Sequence, residues 1–122
     1  MDYKEFRISC KSTKALLIGD IMLDRYVFGK VNRISPEAPV PIFLAKDKKQ
    51  VLGGAGNVFS NLVSLDVNTT LLSVLGNDAT ASHIKKILKS EKKSKNFIYT
   101  EKKISSSKTR YLVNGQQLIR VD

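Results

Sequence analysis

Gly53-Gly54-Ala55-Gly56-Asn57 decides the fold of this 122-residue chain, because it separates an extended segment from a helix. A helix is predicted to begin near Gly54 or Ala55, since apolar residues follow at helical spacing. Its inner face is predicted to hold Val58, Leu62 and Leu65, with Phe59 and Val63 beside them. The glycines have two interpretations: a backbone that closely approaches a ligand, or a turn needed only for packing. Their spacing matches neither a Walker loop nor the dinucleotide fingerprint.

Upstream of the glycines, a short apolar run predicts a buried parallel strand over Ala15–Gly19. Asp20 and Asp24 follow it, at the end of the sheet where α/β proteins bind ligands. A carboxylate there can accept hydrogen bonds from two sugar hydroxyls, or it can simply end a strand in solvent. Asn57, in the first turn of the helix, adds a donor and an acceptor suited to hydroxyl groups.

The segment between strand and glycines is predicted to be extended. Tyr26–Lys30 is interpreted as a short strand or a turn, and prolines at positions 36, 39 and 41 exclude a helix after it. Val40–Ala45 is predicted to be an edge strand and Asp47–Gln50 a turn. This segment is expected to form a small separate β-layer with the C-terminal hairpin.

Downstream of the glycines, strands are predicted over Thr69–Leu75 and Asn96–Thr100. A helix between them is predicted to be capped by Asp78 and to end near Ser90. Its inner face is predicted to hold Ile84, Ile87 and Leu88, and its outer face Lys85, Lys86 and Lys89. Alternating strands and helices argue for a parallel α/β sheet.

The C-terminal residues have the pattern of a β-hairpin. Ser107–Val113 and Gln116–Val121 flank Asn114-Gly115, and a type I′ turn requires positive φ at both central positions. Three basic side chains lie on it: Lys108, Arg110 and Arg120. They could hold a phosphate or a partner subunit, or they could form a solvated edge whose charge prevents aggregation.

Charge and composition limit which partners, metal sites and cellular locations are expected for this chain. The formal net charge is +10, and eight lysines lie between residues 85 and 103. We favour a solvated face over a nucleic-acid site, because few aromatic residues or arginines are interleaved with these lysines. The longest apolar run has four residues, so no transmembrane helix or signal peptide is predicted. A single cysteine and a single histidine exclude a disulfide framework and a usual zinc site, and a cytoplasmic location is expected.

Taken together, these segments resemble the PfkB, or ribokinase-like, carbohydrate kinases. More closely, they look like the start of the D-glycero-β-D-manno-heptose-7-phosphate kinases, found alone or as the first domain of a bifunctional ADP-heptose synthesis enzyme. The resemblance covers nearly all of residues 15–122. The glycine motif marks only the superfamily, whereas Arg33–Pro41 and Gln116–Asp122 are far more specific. Gly56 departs from the alanine usual in the heptose kinases.

The resemblance implies a partial ribokinase-like parallel sheet with flanking helices and a small β-lid. Residues 1–14 would be a polar extension, and the lid would lie near 26–46 and 106–122. It implies that Asp24 binds the sugar, that Gly53, Gly54 and Asn57 form the substrate-binding motif, and that Lys108, Arg110 and Arg120 are candidates for the sugar's 7-phosphate. The reaction would be phosphoryl transfer from Mg-ATP to the anomeric hydroxyl.

The family's Gly-Ala-Gly-Asp segment, which carries the catalytic base, does not occur in these 122 residues. We therefore expect no catalytic residue in this chain, no tight binding of Mg-ATP, and no activity alone. The expected partners are heptose 7-phosphate and either a second copy, through the lid or an exposed sheet, or a separately encoded C-terminal half. A non-catalytic sugar-phosphate-binding or assembly module is the alternative. No membrane or nucleic-acid partner is expected.

Overall fold

The computed structural model describes residues 2–91 and 95–122, so Lys92 and Lys93 of the lysine-rich stretch lie outside the described residues. The helices are α1 Tyr3–Ser12, α2 Ala55–Ser64 and α3 Ala79–Ser90. The strands are β1 Lys14–Ile18, β2 Ile21–Ile34, β3 Pro41–Gly54, β4 Asn68–Leu75, β5 Lys95–Thr100, β6 Ser107–Val113 and β7 Gln116–Val121. The chain divides into a first unit, Met1–Leu23 with Val51–Ser106, and a second unit, Asp24–Gln50 with Ser107–Asp122.

The first unit contains a three-stranded parallel sheet in the order β1-β4-β5. This confirms the predicted parallel α/β architecture. The central strand alternates strictly, and Thr69, Leu71, Ser73 and Leu75 are all buried. Strand β1 is parallel as predicted, but the prediction that it is buried was wrong, because Leu16 and Ile18 are each 66% exposed and Ala15 and Leu17 are only half-buried.

Helices α2 and α3 supply the core of the first unit. Phe59, Ile84 and Leu88 are buried in one cluster with Leu71 and Leu75 of β4. Helix α3 has the predicted inner face and the predicted cap. The inner face of α2 differs from the predicted one by a rotation about the helix axis, since Val58 is 46% exposed while Phe59 is fully buried. Gly56 sits beside Phe59 on the buried side, where a Cβ would lie 2.8 Å from atoms of Ile21 and Leu52.

Residues 1–14, expected to be a polar extension, include a helix tied to the first unit. Asp2 caps α1 in a capping box with Glu5, which satisfies backbone donors at the helix start. Arg7 forms an ion pair with Asp66, and Cys10 is buried. None of the helices among the described residues is long and apolar enough to cross a membrane.

The second unit is a four-stranded sheet in the order β3-β2-β6-β7. Pro41 begins β3, which is an edge strand as predicted. The prediction of a turn at Asp47–Gln50 was wrong, because β3 continues through these residues to Gly54. Pairing with the equally long β2 extends the strand, and the exposed edge tolerates its charged side chains. Tyr26–Lys30 likewise belongs to β2 rather than to a short separate element.

The hairpin of β6 and β7 turns where the sequence predicted. Asn114 and Gly115 have φ of 51° and 82°, and Gly115 has open space around it. The strands pair antiparallel, with Arg110 opposite Arg120 and an irregularity at Tyr111 and Leu112. Residues opposite each other in such a pair share a face of the sheet. The two arginines therefore lie on one face, which Lys108 shares by its spacing of two from Arg110.

Candidate functional site

The predicted site residues lie in both units. Gly53, Gly54 and Asn57 belong to the first unit, where β3 meets α2. Asp24 and the three basic residues of the hairpin belong to the second unit. Asp24 was expected beyond the end of a strand, but it lies inside β2, because that strand begins at Ile21. Of the two aspartates, only Asp20 lies in the connection between β1 and β2, where it follows Gly19.

The glycine motif is a turn whose shape requires Gly54. This residue is the N-cap of α2, with φ 58° and ψ −133°, a backbone conformation that residues other than glycine rarely adopt. A Cβ at this position would lie 2.5 Å from the backbone oxygen of Asp20. That oxygen accepts a hydrogen bond of 2.9 Å from the backbone N–H of Ala55. Gly54 thus allows the connection after β1 to approach the start of α2.

Helix α2 differs from the other two helices at its N-terminus. Aspartates cap α1 and α3, whereas no side chain caps α2. Asn57 is exposed in the first turn of α2, and Gly53 before the turn is buried. A helix N-terminus carries partial positive charge and backbone donors. The backbone N–H groups at the start of α2 can therefore donate hydrogen bonds to an anionic or hydroxylated group, or to water.

In the second unit, Asp24 and Arg110 form a direct ion pair. Arg110 Nη1 donates to Asp24 Oδ1 at 2.8 Å, and the side chains are 22% and 17% exposed. The hydrogen bond to Asp24 raises the pKa of the Arg110 guanidinium above its ordinary value. The guanidinium also lies 5.2 Å from the ring centre of Tyr26, within cation–π range. A carboxylate is therefore fixed on this face, with its Oδ2 bound by no described residue.

The other two cations of the hairpin differ in their surroundings. Arg120 binds Asp122 through two contacts, Nε to Oδ1 at 2.9 Å and Nη2 to Oδ2 at 3.0 Å. Lys108 is half-buried and has no carboxylate partner among the described residues. Of the three predicted phosphate ligands, only Lys108 thus has a charge that no neighbouring carboxylate balances.

Sequence reasoning missed Tyr26 and Asp122. Tyr26 lies two residues after Asp24 on β2, and this period-two spacing could have indicated that the two side chains share a face of the sheet. On that face both contact Arg110. Asp122 lies two residues after Arg120, so the same rule could have identified that pair. Neither contact follows from composition alone, because an aromatic or an acidic residue can occur in a sheet without making such a contact.

A separate cavity of about 580 Å³ lies in the first unit, at the carboxyl ends of β4 and β5. It is lined by Asn77, Thr100, Glu101, Lys102, Lys103 and Ile104. None of the predicted site residues lines it. The loop beside it is fixed by Asp78, which accepts from the N–H groups of Ala81 and Ser105, each at 2.8 Å. The bond from Ser105 is the main reason that the pKa of Asp78 is lowered.

Divalent metal binding finds no support among the described residues. No group of three or more His, Cys, Asp or Glu side chains in this part of the chain is placed to hold a metal ion. A Mg²⁺ ion that is held mainly by water and substrate phosphates needs fewer protein ligands than such a group.

Comparison with known proteins places this chain in a family. Residues 12–122 match the model of the pfkB family carbohydrate kinases. The bifunctional protein HldE of Haemophilus influenzae is 42% identical over 97% of this chain, and that of Rhodospirillum rubrum is also 42% identical over 97%. The chain spans about a quarter of the length of these curated relatives.

Solved structures agree on the fold. A carbohydrate kinase from Agrobacterium tumefaciens superposes with a TM-score of 0.70 at 20% identity, covering 89% of this chain and 34% of that one. Phosphofructokinase-2 from Escherichia coli gives a TM-score of 0.62 at 19% identity, covering 87% and 33%. The α/β fold with a parallel sheet and helices is thus that of the ribokinase-like kinases, and by its sequence this chain belongs to the pfkB family of carbohydrate kinases.

Proposed function

We propose that this chain is the sugar-binding and lid portion of a kinase that phosphorylates heptose 7-phosphate at its anomeric hydroxyl. The phosphate donor would be ATP, and the reaction would serve ADP-heptose and lipopolysaccharide core biosynthesis in the cytoplasm. Residues 15–122 would be the N-terminal portion of the kinase domain, with lid elements near 26–46 and 106–122. The observation that carries this proposal is the 42% identity to HldE over 97% of the chain. The segments Arg33–Pro41 and Gln116–Asp122 support it by their resemblance to the heptose kinases.

Asp24 is proposed to bind hydroxyl groups of the sugar. Its Oδ1 is held by Arg110, so the carboxylate is already oriented before a ligand arrives. Its Oδ2 remains available as an acceptor, and hydrogen bonds to an ionised acceptor are stronger than neutral ones. An oriented carboxylate loses less conformational entropy when it binds than a free one. The ion pair thus supports a positioning role for Arg110.

Lys108 is proposed to be the main ligand of the 7-phosphate. Arg110 and Arg120 already have carboxylate partners, so a phosphate must compete with Asp24 or Asp122 for them. Lys108 lies on the same face of β6 as Arg110 and has no such competitor among the described residues. A dianionic phosphate near Lys108 would gain a charge-assisted contact without breaking an existing pair.

The turn at Gly53 and Gly54 is proposed to present the uncapped start of α2 to the substrate. Asn57, exposed in the first turn, would then donate to or accept from a hydroxyl group. This role needs no metal or nucleotide. Since no Gly-Ala-Gly-Asp segment occurs in the 122 residues, we expect these residues alone to bind the sugar phosphate without phosphorylating it.

Two assemblies follow from this proposal. The chain would pair with a polypeptide that carries the ATP-binding half, or it would form a homodimer through the lid hairpin. Addition of a polypeptide with that half should produce ATP-dependent phosphorylation of heptose 7-phosphate, measured as ADP release. The second candidate function, a non-catalytic sugar-phosphate module, predicts binding of the sugar phosphate but no turnover in any such mixture.

Titration calorimetry with heptose 7-phosphate tests the proposal. Asp24→Asn should weaken binding by about tenfold or more, because a charge-assisted hydrogen bond is lost. Asp47→Asn is the matched control, since Asp47 is an exposed aspartate on β3 of the same unit, and it should change affinity by less than about twofold. Equal affinity of the Asp24→Asn variant and the unsubstituted chain would overturn the assigned sugar site.

A further inference from the structure

We propose that Ser73 is a positioning residue for the glycine turn, because its hydroxyl fixes the connection between β1 and β2 against the start of α2. Ser73 lies near the carboxyl end of β4, and all the residues concerned belong to the first unit. This role rests on the proposed function, since it names what holds the turn that would present α2 to the sugar phosphate.

The hydroxyl of Ser73 bridges the two ends of this connection. Ser73 Oγ donates to the backbone oxygen of Gly19 at 2.7 Å and accepts from the backbone N–H of Ile21 at 3.1 Å. We call these two bonds the Ser73 clamp, and Asp20 lies between them. Ser73 is 4% exposed and Ile21 is 2% exposed. A buried polar group that loses its partner costs more than one in contact with water, so the clamp is not easily replaced by solvent.

Each residue of the clamped connection meets the first residues of α2. A Cβ at Gly19 would lie 3.2 Å from the Cβ of Ala55. The backbone oxygen of Asp20 accepts a hydrogen bond from the backbone N–H of Ala55. A Cβ at Gly56 would lie 2.8 Å from Cγ1 of Ile21. A shift of the connection would therefore move or loosen the first turn of α2.

The start of α2 depends on this contact because it has no side-chain cap. Aspartates cap α1 and α3, whereas at α2 the backbone oxygen of Asp20 takes the place of a cap. It satisfies the N–H of Ala55, one of the donors that a helix start leaves without an intrahelical partner. Asn57 is exposed, and its backbone N–H has no acceptor outside the helix among the described residues. The clamp thus fixes the helix start and leaves Asn57 accessible to a ligand.

A second buried hydroxyl on the same strand differs from that of Ser73. Thr69 is fully buried on the same face of β4, and its Oγ1 donates to the backbone oxygen of Val67, two residues earlier. Ser73 instead binds residues that lie 52 and 54 positions away in the sequence. The hydroxyl of Thr69 is also four residues from Ser73, roughly 13 Å along the strand. Thr69→Val is therefore a matched control for the loss of a buried hydroxyl.

Amide hydrogen exchange followed by NMR tests the clamp without any ligand. In Ser73→Ala, the amides of Ile21 and Ala55 should exchange about tenfold faster or more, relative to the amide of Leu71 in the core. The ratio to Leu71 removes the effect of any change in global stability. In Thr69→Val, the same two ratios should change by less than about threefold.

Titration calorimetry with heptose 7-phosphate tests the consequence for binding. Ser73→Ala should weaken binding about fivefold or more, because the start of α2 is no longer held in place. Thr69→Val should weaken it less than about twofold. Both variants lose one buried hydroxyl, so a merely structural role would affect them alike, and only a positioning role separates their affinities.

Two outcomes would overturn the role of Ser73. They are exchange ratios of Ile21 and Ala55 that stay unchanged in Ser73→Ala, and equal affinities of Ser73→Ala and Thr69→Val for heptose 7-phosphate. The proposed function fails in a different way, by absence of heptose 7-phosphate binding to the unsubstituted chain. The exchange measurement would then still decide whether Ser73 holds the start of α2. Normal sugar binding with unchanged exchange would overturn the clamp and leave the proposed function standing.

Discussion

The two sheets of this protein show a division: the first buries side chains in a core, and the second carries ion pairs. Every second side chain of β4 in the first unit is buried, and Leu71 and Leu75 pack in one cluster with residues of α2 and α3. In the second unit, Val27 is the only buried side chain of residues 24–50 and 107–122. The second sheet instead carries the pair of Asp24 with Arg110 and the pair of Arg120 with Asp122. Core substitutions and ligand-binding substitutions are therefore expected to have separable effects.

The largest effect is expected in the core of the first sheet. Leu71→Ala should lower the free energy of unfolding by about 2–5 kcal/mol, because Leu71 is fully buried and its removal leaves a cavity. Leu44→Ala, on β3 of the second unit, is the matched control. Leu44 is 52% exposed, and its loss should cost about 0.5 kcal/mol. Urea unfolding measures both, and similar costs would contradict the division.

A smaller effect is expected at the glycine turn. Gly54→Ala should cost about 3 kcal/mol, because it combines a positive φ with a Cβ only 2.5 Å from the Asp20 oxygen. Gly115→Ala has the positive φ without any neighbour within 4 Å, and should cost about 1 kcal/mol. Urea unfolding of both variants separates backbone strain from steric overlap. Equal costs would mean that the approach of Asp20 is unimportant.

The smallest effect is expected at Asp78 and depends on pH. Its pKa is lowered in the folded protein from an ordinary value of 3.8, so its carboxylate stabilises the fold above that pH. This stabilisation is lost as the pH falls through the lowered value. Asp78→Asn should therefore be less stable than the unsubstituted chain at pH 7, and the difference should shrink below about pH 3.8.

Denaturant midpoints measured between pH 7 and pH 2.5 check this dependence. Asparagine can still cap α3 through its side-chain oxygen, so the variant changes mainly the charge. A difference in stability that stays constant over the whole range would show that the carboxylate's ionisation does not contribute.

Local signals in the sequence predicted much of the fold. Asp78 marks the start of α3, and Asn114-Gly115 marks the hairpin, because caps and tight turns are decided by the residues that form them. The length of β3 was missed, since pairing with β2 overrides the turn propensity of Asp47–Gln50. The inner face of α2 was predicted wrongly, because apolar residues lie on more than one side of that helix. Which side is buried depends on where the sheet lies, and in the structure it is the side of Phe59.

The candidate site was less accessible to sequence reasoning. Asp24 and Arg110 were each singled out, but they are 86 residues apart, and no local pattern indicates their ion pair. The apolar run at β1 predicted a strand covered on both faces. The exposure of Leu16 and Ile18 depends on which elements are present to cover the sheet, and the run itself contains no such information.

The proposal that matters most is that the second unit binds a sugar phosphate through Asp24 and Lys108. Its most direct test is an NMR titration of the 13.6 kDa chain with heptose 7-phosphate in the absence of ATP. We predict saturable shifts of the backbone amides of Asp24, Lys108 and Arg110 in the second unit and, separately, of residues around Gly54 in the first unit. Shifts confined to the lysines of α3, or no shifts at millimolar sugar phosphate, would contradict it.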